Sequence, residues 1–473
     1  MIFYPHRPRA ARPRASRTAG LAALLACATG LLLAAARPAI AQQPDTRIIT
    51  FQDAVRIALE RNATLRRAQN TAELDAIAVE EARNSFLPDL RFSTQGAQSF
   101  GRNFSDIEGR ILDRSTRSVN MGLNSSVVLF NGFGNVASYR EARLSEQASR
   151  LDLQRSEETV VFTVAANFLA LIQQREQLRV QRENLEAELE LERQIRSFVD
   201  AGRRTIADLY QQQASVASAR FAVVEAERAV ELAEVDLMQT LQLDPRGVYE
   251  FVVPELGAET VAGERLQLAS LVERALEQRV DVEAVEARLD AAAQSVRIAR
   301  AGRWPTVSLS AGYSSNYNSA SDVSFSEQLD QRRGGSIGIN FTIPLFDRGN
   351  VAIATRRAEI AQDNARLELE NLLHEVGLQV RRAVLDYEAA QEQLRVAETQ
   401  LQAAELALEA TQERYNVGAA TLVELSQARA AHVRAASSLV SARYNLLFQR
   451  TLVDYYVGDL DPSRLAGERG GTP

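Results

Sequence analysis

The sequence predicts a mainly α-helical chain that also carries four strands suited to the wall of a membrane β-barrel. Three observations lead there. The chain repeats itself after 216 or 217 residues, each half holds about 67 residues almost free of Gly and Pro, and each half holds strand patterns alternating apolar with small polar residues. The repeat shows in Ala58-Leu59 against Ala275-Leu276, Pro88 against Pro305, and Leu129-Phe130 against Leu345-Phe346. It shows again in Ala201-Gly202-Arg203-Arg204-Thr205-Ile206 against Val417-Gly418-Ala419-Ala420-Thr421-Leu422. Each half therefore reads as helix, strand, strand, very long helix, turn and return helix. The expected organisation is a signal peptide over 1–41, a first repeat over 42–250, a linker or equatorial segment over 251–265, a second repeat over 266–458 and a disordered tail over 459–473.

The leader comes first. Arg7, Arg9, Arg12, Arg14 and Arg17, with no acid among them, precede an almost wholly apolar run over 19–36, and Ala39-Ile40-Ala41 has the small-x-small form of a cleavage site. An uncleaved anchor is the alternative, since 18 apolar residues are nearly enough to span a bilayer. Leu24-Leu25-Ala26-Cys27 also loosely resembles a lipidation signal at Cys27, although the apolar run continues to Ala36. Beyond Ala41 the chain holds 48 Arg (54 less six in the leader) against 61 acids, a formal charge of −13 that argues against nucleic acid as a partner. Every basic residue is Arg and Cys27 is the only Cys. Schiff-base lysines, a P-loop lysine, catalytic thiols and disulfides are thereby excluded from the mature chain.

An opening helix is expected over 51–87 and again over 268–303. Strands follow. Residues 89–100 are a weak match, whereas Val119, Met121 and Leu123 alternate with Asn120, Gly122 and Asn124. In the second half Val307, Leu309, Ala311, Tyr313 and Tyr317 oppose Ser308, Ser310, Gly312, Ser314 and Asn316, and Ile337, Ile339, Phe341 and Ile343 oppose Ser336, Gly338, Asn340 and Thr342. The polar faces are small and uncharged, which suits an outer-membrane barrel; a half-buried soluble sheet is the alternative. Unpaired strand edges cannot sit in hydrocarbon. Four strands are too few for one chain to close, so closure needs two copies giving eight strands or three giving twelve. The loops 101–117 and 319–335, rich in Ser, Asn, Asp, Arg and Gly, are expected to face outside the cell.

No Gly or Pro lies between Gly134 and Gly202, and only Gly377 between Gly349 and Gly418, so nothing breaks helices of about 100 Å. A seven-residue rhythm gives these helices a coiled-coil seam. Val380, Tyr387, Leu394, Leu401, Leu408 and Tyr415 form it, with Ala383, Ala390, Ala397 and Ala404 between; Val164, Leu171, Leu178 and Leu185 repeat it in the first half. Return helices over 205–241 and 421–457 offer Ala219, Ala226, Ala233, Ala428, Ala435 and Ala442 for close approach. Asp244-Pro245 and Val253-Pro254 break the chain between the halves.

Together these features resemble the TolC family of outer membrane efflux proteins. The resemblance rests on the duplicated plan, on the strand exit Leu129-Phe130-Asn131-Gly132 matched by Pro344-Leu345-Phe346-Asp347-Arg348-Gly349, and on the tip running from Arg414 to Leu425; it covers about 50–457. It implies a homotrimer with a twelve-stranded β-barrel in outer-membrane lipid, continued by an α-barrel tunnel through the periplasm. It also implies a periplasmic adaptor (membrane fusion) protein and an inner-membrane RND or ABC-type pump as partners. Drugs, metals or secreted polypeptides would pass passively, with no cofactor.

By position the resemblance implies a periplasmic gate, or adaptor-contact tips, at Gly202, Arg203, Arg204, Thr205 and Asp208 in one turn and at Tyr415, Gly418, Thr421, Leu422 and Glu424 in the other. Tyr415 matches a gating Tyr, Glu424 an acid of the return helix, and Asp208 its counterpart. Ala420 stands where an Arg link is expected and Gln427 where a second acid is expected; Arg203 and Arg204 are candidates to supply the missing charge. Each residue also has a plainer reading. Asp208 and Glu424 complement helix dipoles, Thr205 and Thr421 cap helices, Gly202 and Gly418 permit positive φ, and Tyr415 continues the seam.

An enzyme has little material here. His374 and His432 are the only His of the mature chain and lie far apart, and runs such as Glu183, Glu186, Glu188, Glu190 and Glu192 among Arg read as a solvated helix face. A periplasmic coiled-coil adaptor or scaffold shares the leader and the heptads but has no use for membrane-facing hairpins.

Overall fold

The computed structural model describes residues 47–105, 109–113, 115–252 and 265–460. The expected signal peptide, Cys27 and most of the expected linker and tail lie outside the described residues. The chain divides into two compact units. Of the described residues the smaller comprises Arg47 and 247–249, where the Arg47 N–H donates to the Val248 carbonyl at 3.1 Å. All elements below belong to the larger.

Each opening helix is broken in two, a correction to the single helices expected. Helices α1 (Phe51–Arg61) and α2 (Ala63–Asn84) meet at Asn62, whose backbone leaves the helix at φ −59°, ψ 124°. Its side-chain oxygen accepts from the N–H groups of Thr64 at 2.9 Å and Leu65 at 3.3 Å, starting α2 afresh. The second half breaks 217 residues later at Arg279, where α5 (Leu268–Gln278) meets α6 (Val280–Ala301). There the buried guanidinium donates to the Asp281 carboxylate at 2.6 and 3.0 Å and to Gln379 Oε1 at 2.7 Å. Neither junction contains Gly or Pro, so the usual breakers gave no warning.

Four strands form one antiparallel sheet in the order β1 (Arg91–Ser99), β4 (Thr116–Asn131), β5 (Thr306–Asn318), β6 (Gly334–Thr342). The weakly patterned first strand pairs with β4 along its whole length, from Arg91↔Asn124 to Ser99↔Thr116. Register sorts the sheet into two faces. Val127, Leu309 and Ile339 align across three strands, as do Ser310 and Gly338 beside Ser126, and Asn124, Gly312 and Ser336. A bulge between Val128 and Phe130 keeps Phe130 on the apolar side opposite Val307. Strands β1 and β6 are the open edges.

The two loops carry short regular elements of their own. The first contains a hairpin of β2 (Arg102–Ser105) and β3 (Arg110–Asp113), and the second contains α7 (Phe325–Gln331). Gln328 anchors α7 by donating to the Val323 carbonyl at 2.6 Å and accepting from the Asn318 N–H at 3.0 Å. Polar side chains hold this segment, so a search for apolar periodicity passes over it.

The long helices are α3 (Gly134–Asp200) and α8 (Asn350–Asn416), each 67 residues and thus about 100 Å. Helix α3 packs on α2, α6 and the return helix α4 (Ile206–Thr240), while α8 packs on α5, α6 and the return helix α9 (Leu422–Val457). The heptad seam supplies the core. Val376, Val380, Ala383, Tyr387 and Ala390 are buried against Leu271, Ala275, Leu446, Val453 and Val457. Among the described residues no helix is long and apolar enough to cross a membrane. Asp459 and Leu460, placed in the expected tail, are docked: Leu460 is buried and Asp459 lies 3.4 Å from Arg274.

Candidate functional site

The two helix reversals that end α3 and α8 carry all ten predicted site residues. Both use one device. Gly202 and Gly418 take φ of +69° and +81°, and the next N–H donates back to the last turn, Arg203 to the Phe198 carbonyl at 2.8 Å and Ala419 to the Arg414 carbonyl at 2.7 Å. Nothing lies near a Cβ added at either Gly, so the requirement is conformational and not steric.

Capping boxes then start the return helices. The Thr205 hydroxyl accepts from the Asp208 N–H at 3.3 Å while the Asp208 carboxylate accepts from the Thr205 N–H at 3.2 Å. Thr421 and Glu424 repeat this at 3.2 and 2.7 Å. These bonds hold the Glu424 carboxyl below its ordinary range, with Arg414 adding a smaller pull from 3.9 Å. Both acids are thus committed to their own helix starts.

Tyr415 is the point where the two reversals touch. It is 3% exposed and packs with Leu191, Ile195, Leu209, Ala420, Leu422 and Leu425. The Arg204 guanidinium lies over its ring at 4.7 Å from the centroid. Such a contact contributes about 0.5–2 kcal/mol, more as it is desolvated. Its hydroxyl has no hydrogen-bond partner among the described residues, and burial raises the phenol pKa, with Arg204 and Arg429 opposing and Asp208 reinforcing. Arg203 instead stacks on Phe198 of its own turn at 5.2 Å. Ala420 is buried in this cluster, and of the two candidate arginines it is Arg204, from the first half, that reaches Tyr415.

One group was missed. Glu188, read as part of a solvated run, is 7% exposed; its carboxylate accepts from Gln212 Nε2 at 2.5 Å and lies 3.8 Å from Arg429. Arg429 also donates to the Ala187 carbonyl at 2.9 Å and to Gln412 Oε1 at 3.1 Å, and burial lowers its pKa. This polar knot ties α3, α4, α8 and α9 together just behind the reversals. The heptad register contained the signal: Glu188 lies three residues after seam residue Leu185 and 216 residues before seam residue Ala404, an inward position. Its neighbours Glu183 and Glu190 do pair with Arg on the surface, and Glu192 pairs with Arg196 from a half-buried position.

With this geometry in hand, comparison with known proteins places the chain. The outer membrane efflux protein family profile matches residues 54–241 and 271–456, both halves of the repeat. The pyoverdine export outer membrane protein OpmQ of Pseudomonas aeruginosa is 27% identical over 69% of this chain and 67% of that protein. Outer membrane protein TolC of Vibrio cholerae is 24% identical over 83% of this chain and 86% of its own. Among solved structures, the CmeC outer membrane channel of Campylobacter jejuni superposes with a TM-score of 0.75 at 20% identity, covering 88% of each chain. CusC also gives a TM-score of 0.75, at 19% identity over 86% of this chain and 92% of that one. Both repeats and the sheet between their helices being accounted for, the chain belongs to the outer membrane efflux protein family, as an outer-membrane exit channel with a helical tunnel extending into the periplasm.

Proposed function

We propose that three copies of this chain close a twelve-stranded barrel and conduct substrates delivered by a periplasmic adaptor and an inner-membrane pump of the RND or ABC type. The observation that carries the reading is the four-stranded sheet, with one apolar face and two open edges, β1 and β6. A sheet with free edges is untenable in lipid until neighbouring copies pair with it. Relatives support the class of system: OpmQ is named for pyoverdine export and AprF of Pseudomonas aeruginosa for alkaline protease secretion. Cargo in the two cases differs while the channel plan is shared.

The gate proposal concerns the reversals. Arg204 and Tyr415 hold the two turns of one chain together, and parting them widens the periplasmic entrance. Glu424 and Asp208 serve first as helix caps and contribute negative potential at the mouth. Single-channel recording in planar bilayers tests this. Arg204→Ala is expected to raise conductance of the resting channel, and an unchanged conductance removes the gate assignment. Heat-modifiable migration and outer-membrane fractionation test the barrel; release by carbonate or salt would return the chain to the scaffold reading.

A further inference from the structure

The geometry points to a lipid-binding collar: the arginines gathered where α6, β5, β6 and α8 meet bind anionic phospholipid headgroups of the periplasmic leaflet. The inference rests on the outer-membrane placement and adds a specific ligand to it.

Three apolar side chains mark the rim of the sheet. Trp304, Leu345 and Phe346 are exposed at 60%, 93% and 85%. Trp304 is held in place, because a Cβ on Gly132 would come within 2.7 Å of the Trp304 Cβ. Gly302 lies against Val351, and Arg300 reaches Glu359 at 2.9 Å, so the end of α6 sits beside the start of α8. Exposed Trp at the end of a membrane strand belongs at the lipid headgroup level.

Arginines flank that rim. Arg303 precedes Trp304, Arg348 follows Phe346-Asp347, Arg297 and Arg300 on α6 and Arg303 just past its end recur every third residue, and Arg356 and Arg357 lie in the first turns of α8. All six are exposed. Residues 295–306 and 343–359 hold these six Arg against two acids, Asp347 and Glu359. Both acids are occupied. Asp347 accepts from the N–H groups of Gly349 at 2.9 Å and Val351 at 2.7 Å, and Glu359 is shared by Arg300 at 2.9 Å and Arg356 at 3.6 Å. Among the described residues Arg303, Arg348 and Arg357 make no ion pair, and Arg297 donates only to Gln294 Oε1 at 3.3 Å.

The duplication supplies an internal control. The matching residues of the first half, 78–89 and 127–143, hold Arg83, Arg140 and Arg143 against Glu80, Glu81, Asp89 and Glu141. The second-half segments carry an excess of four positive charges and the matching first-half segments one negative, in a mature chain expected at −13. Guanidinium groups bind phosphate oxygens in bidentate fashion, and basic residues beside an anionic leaflet strengthen binding about fivefold each. A second copy covering Leu345 and Phe346 would use the apolar rim and leave the guanidiniums without a role.

Native mass spectrometry of the full-length channel in mild detergent, titrated with phosphatidylglycerol or phosphatidylethanolamine, tests this, with bilayer conductance of each preparation as the check on folding. Wild type is expected to hold phosphatidylglycerol at least about tenfold more tightly. Combining Arg297→Gln, Arg303→Gln, Arg348→Gln and Arg357→Gln should bring the two lipids within about twofold, while Arg83→Gln, Arg140→Gln and Arg143→Gln together should preserve the preference. If the fourfold variant does not conduct, Arg303→Gln and Arg348→Gln singly should each weaken phosphatidylglycerol about fivefold. Equal retention of both lipids by wild type overturns the collar, as does equal loss in the first-half variant. Failure of wild type to conduct would instead count against the channel reading.

Discussion

The sheet and the helix reversals lie at opposite ends of the same long helices and place their apolar side chains in opposite ways. In β6, Ile337, Ile339 and Phe341 stand open to the surroundings, whereas at the reversals Tyr415, Leu422 and Leu425 are buried within one chain. One end is incomplete without lipid and neighbours; the other is already closed. Under the proposed trimer and gate, assembly depends on the sheet, and gating depends on contacts that a single chain makes to itself.

The largest expected effect lies behind the reversals. Glu188→Ala leaves Arg429 buried without its carboxylate, a change that costs about 3–5 kcal/mol. Hydrogen exchange should show faster opening of the turns between α3 and α4 and between α8 and α9, with the sheet unaffected; uniform protection would mean the knot is not what closes this end.

Next comes the sheet itself. Ile339→Arg places a charge on the apolar face and is expected to lose about 2–4 kcal/mol and fail to reach the outer membrane. Asn340→Arg, one residue on and facing the other way, should assemble and change conductance instead. Outer-membrane fractionation of the pair reads the difference directly, and identical behaviour would erase the distinction between faces.

Smaller effects are expected at the reversals. Arg204→Ala removes about 1 kcal/mol of contact with Tyr415 and raises conductance, while Arg203→Ala, which loses only a stack on Phe198, leaves it nearly unchanged. Smallest is the cap: Thr421→Ala should cost about 1 kcal/mol, seen as fraying of the first turn of α9. Because the Glu424 pKa is lowered in the folded chain, its contribution is complete above 4.5, the ordinary value, and fades as pH falls through the lowered one. Glu424→Gln should remove that contribution at neutral pH and so flatten the acid-side loss.

Much of this was legible in the sequence, and the exceptions share a cause. The heptads of Val380 to Tyr415, the alternation of Val307 to Tyr317 and the two Gly reversals all follow from backbone periodicity and positive φ, which side-chain type reports well. The breaks at Asn62 and Arg279, helix α7 and the Glu188 knot are made by polar side chains bonding to specific partners. Composition cannot separate such residues from solvated ones. Glu188 and Glu190 look alike in the sequence, and only the seam register tells the inward one from the outward one.

The most direct test of the central claim is the native mass of the detergent-extracted protein. Three copies per particle, dissociating to one only when the sheet face is disrupted as by Ile339→Arg, is the expected result. A single polypeptide that stays monodisperse in water without detergent would contradict it.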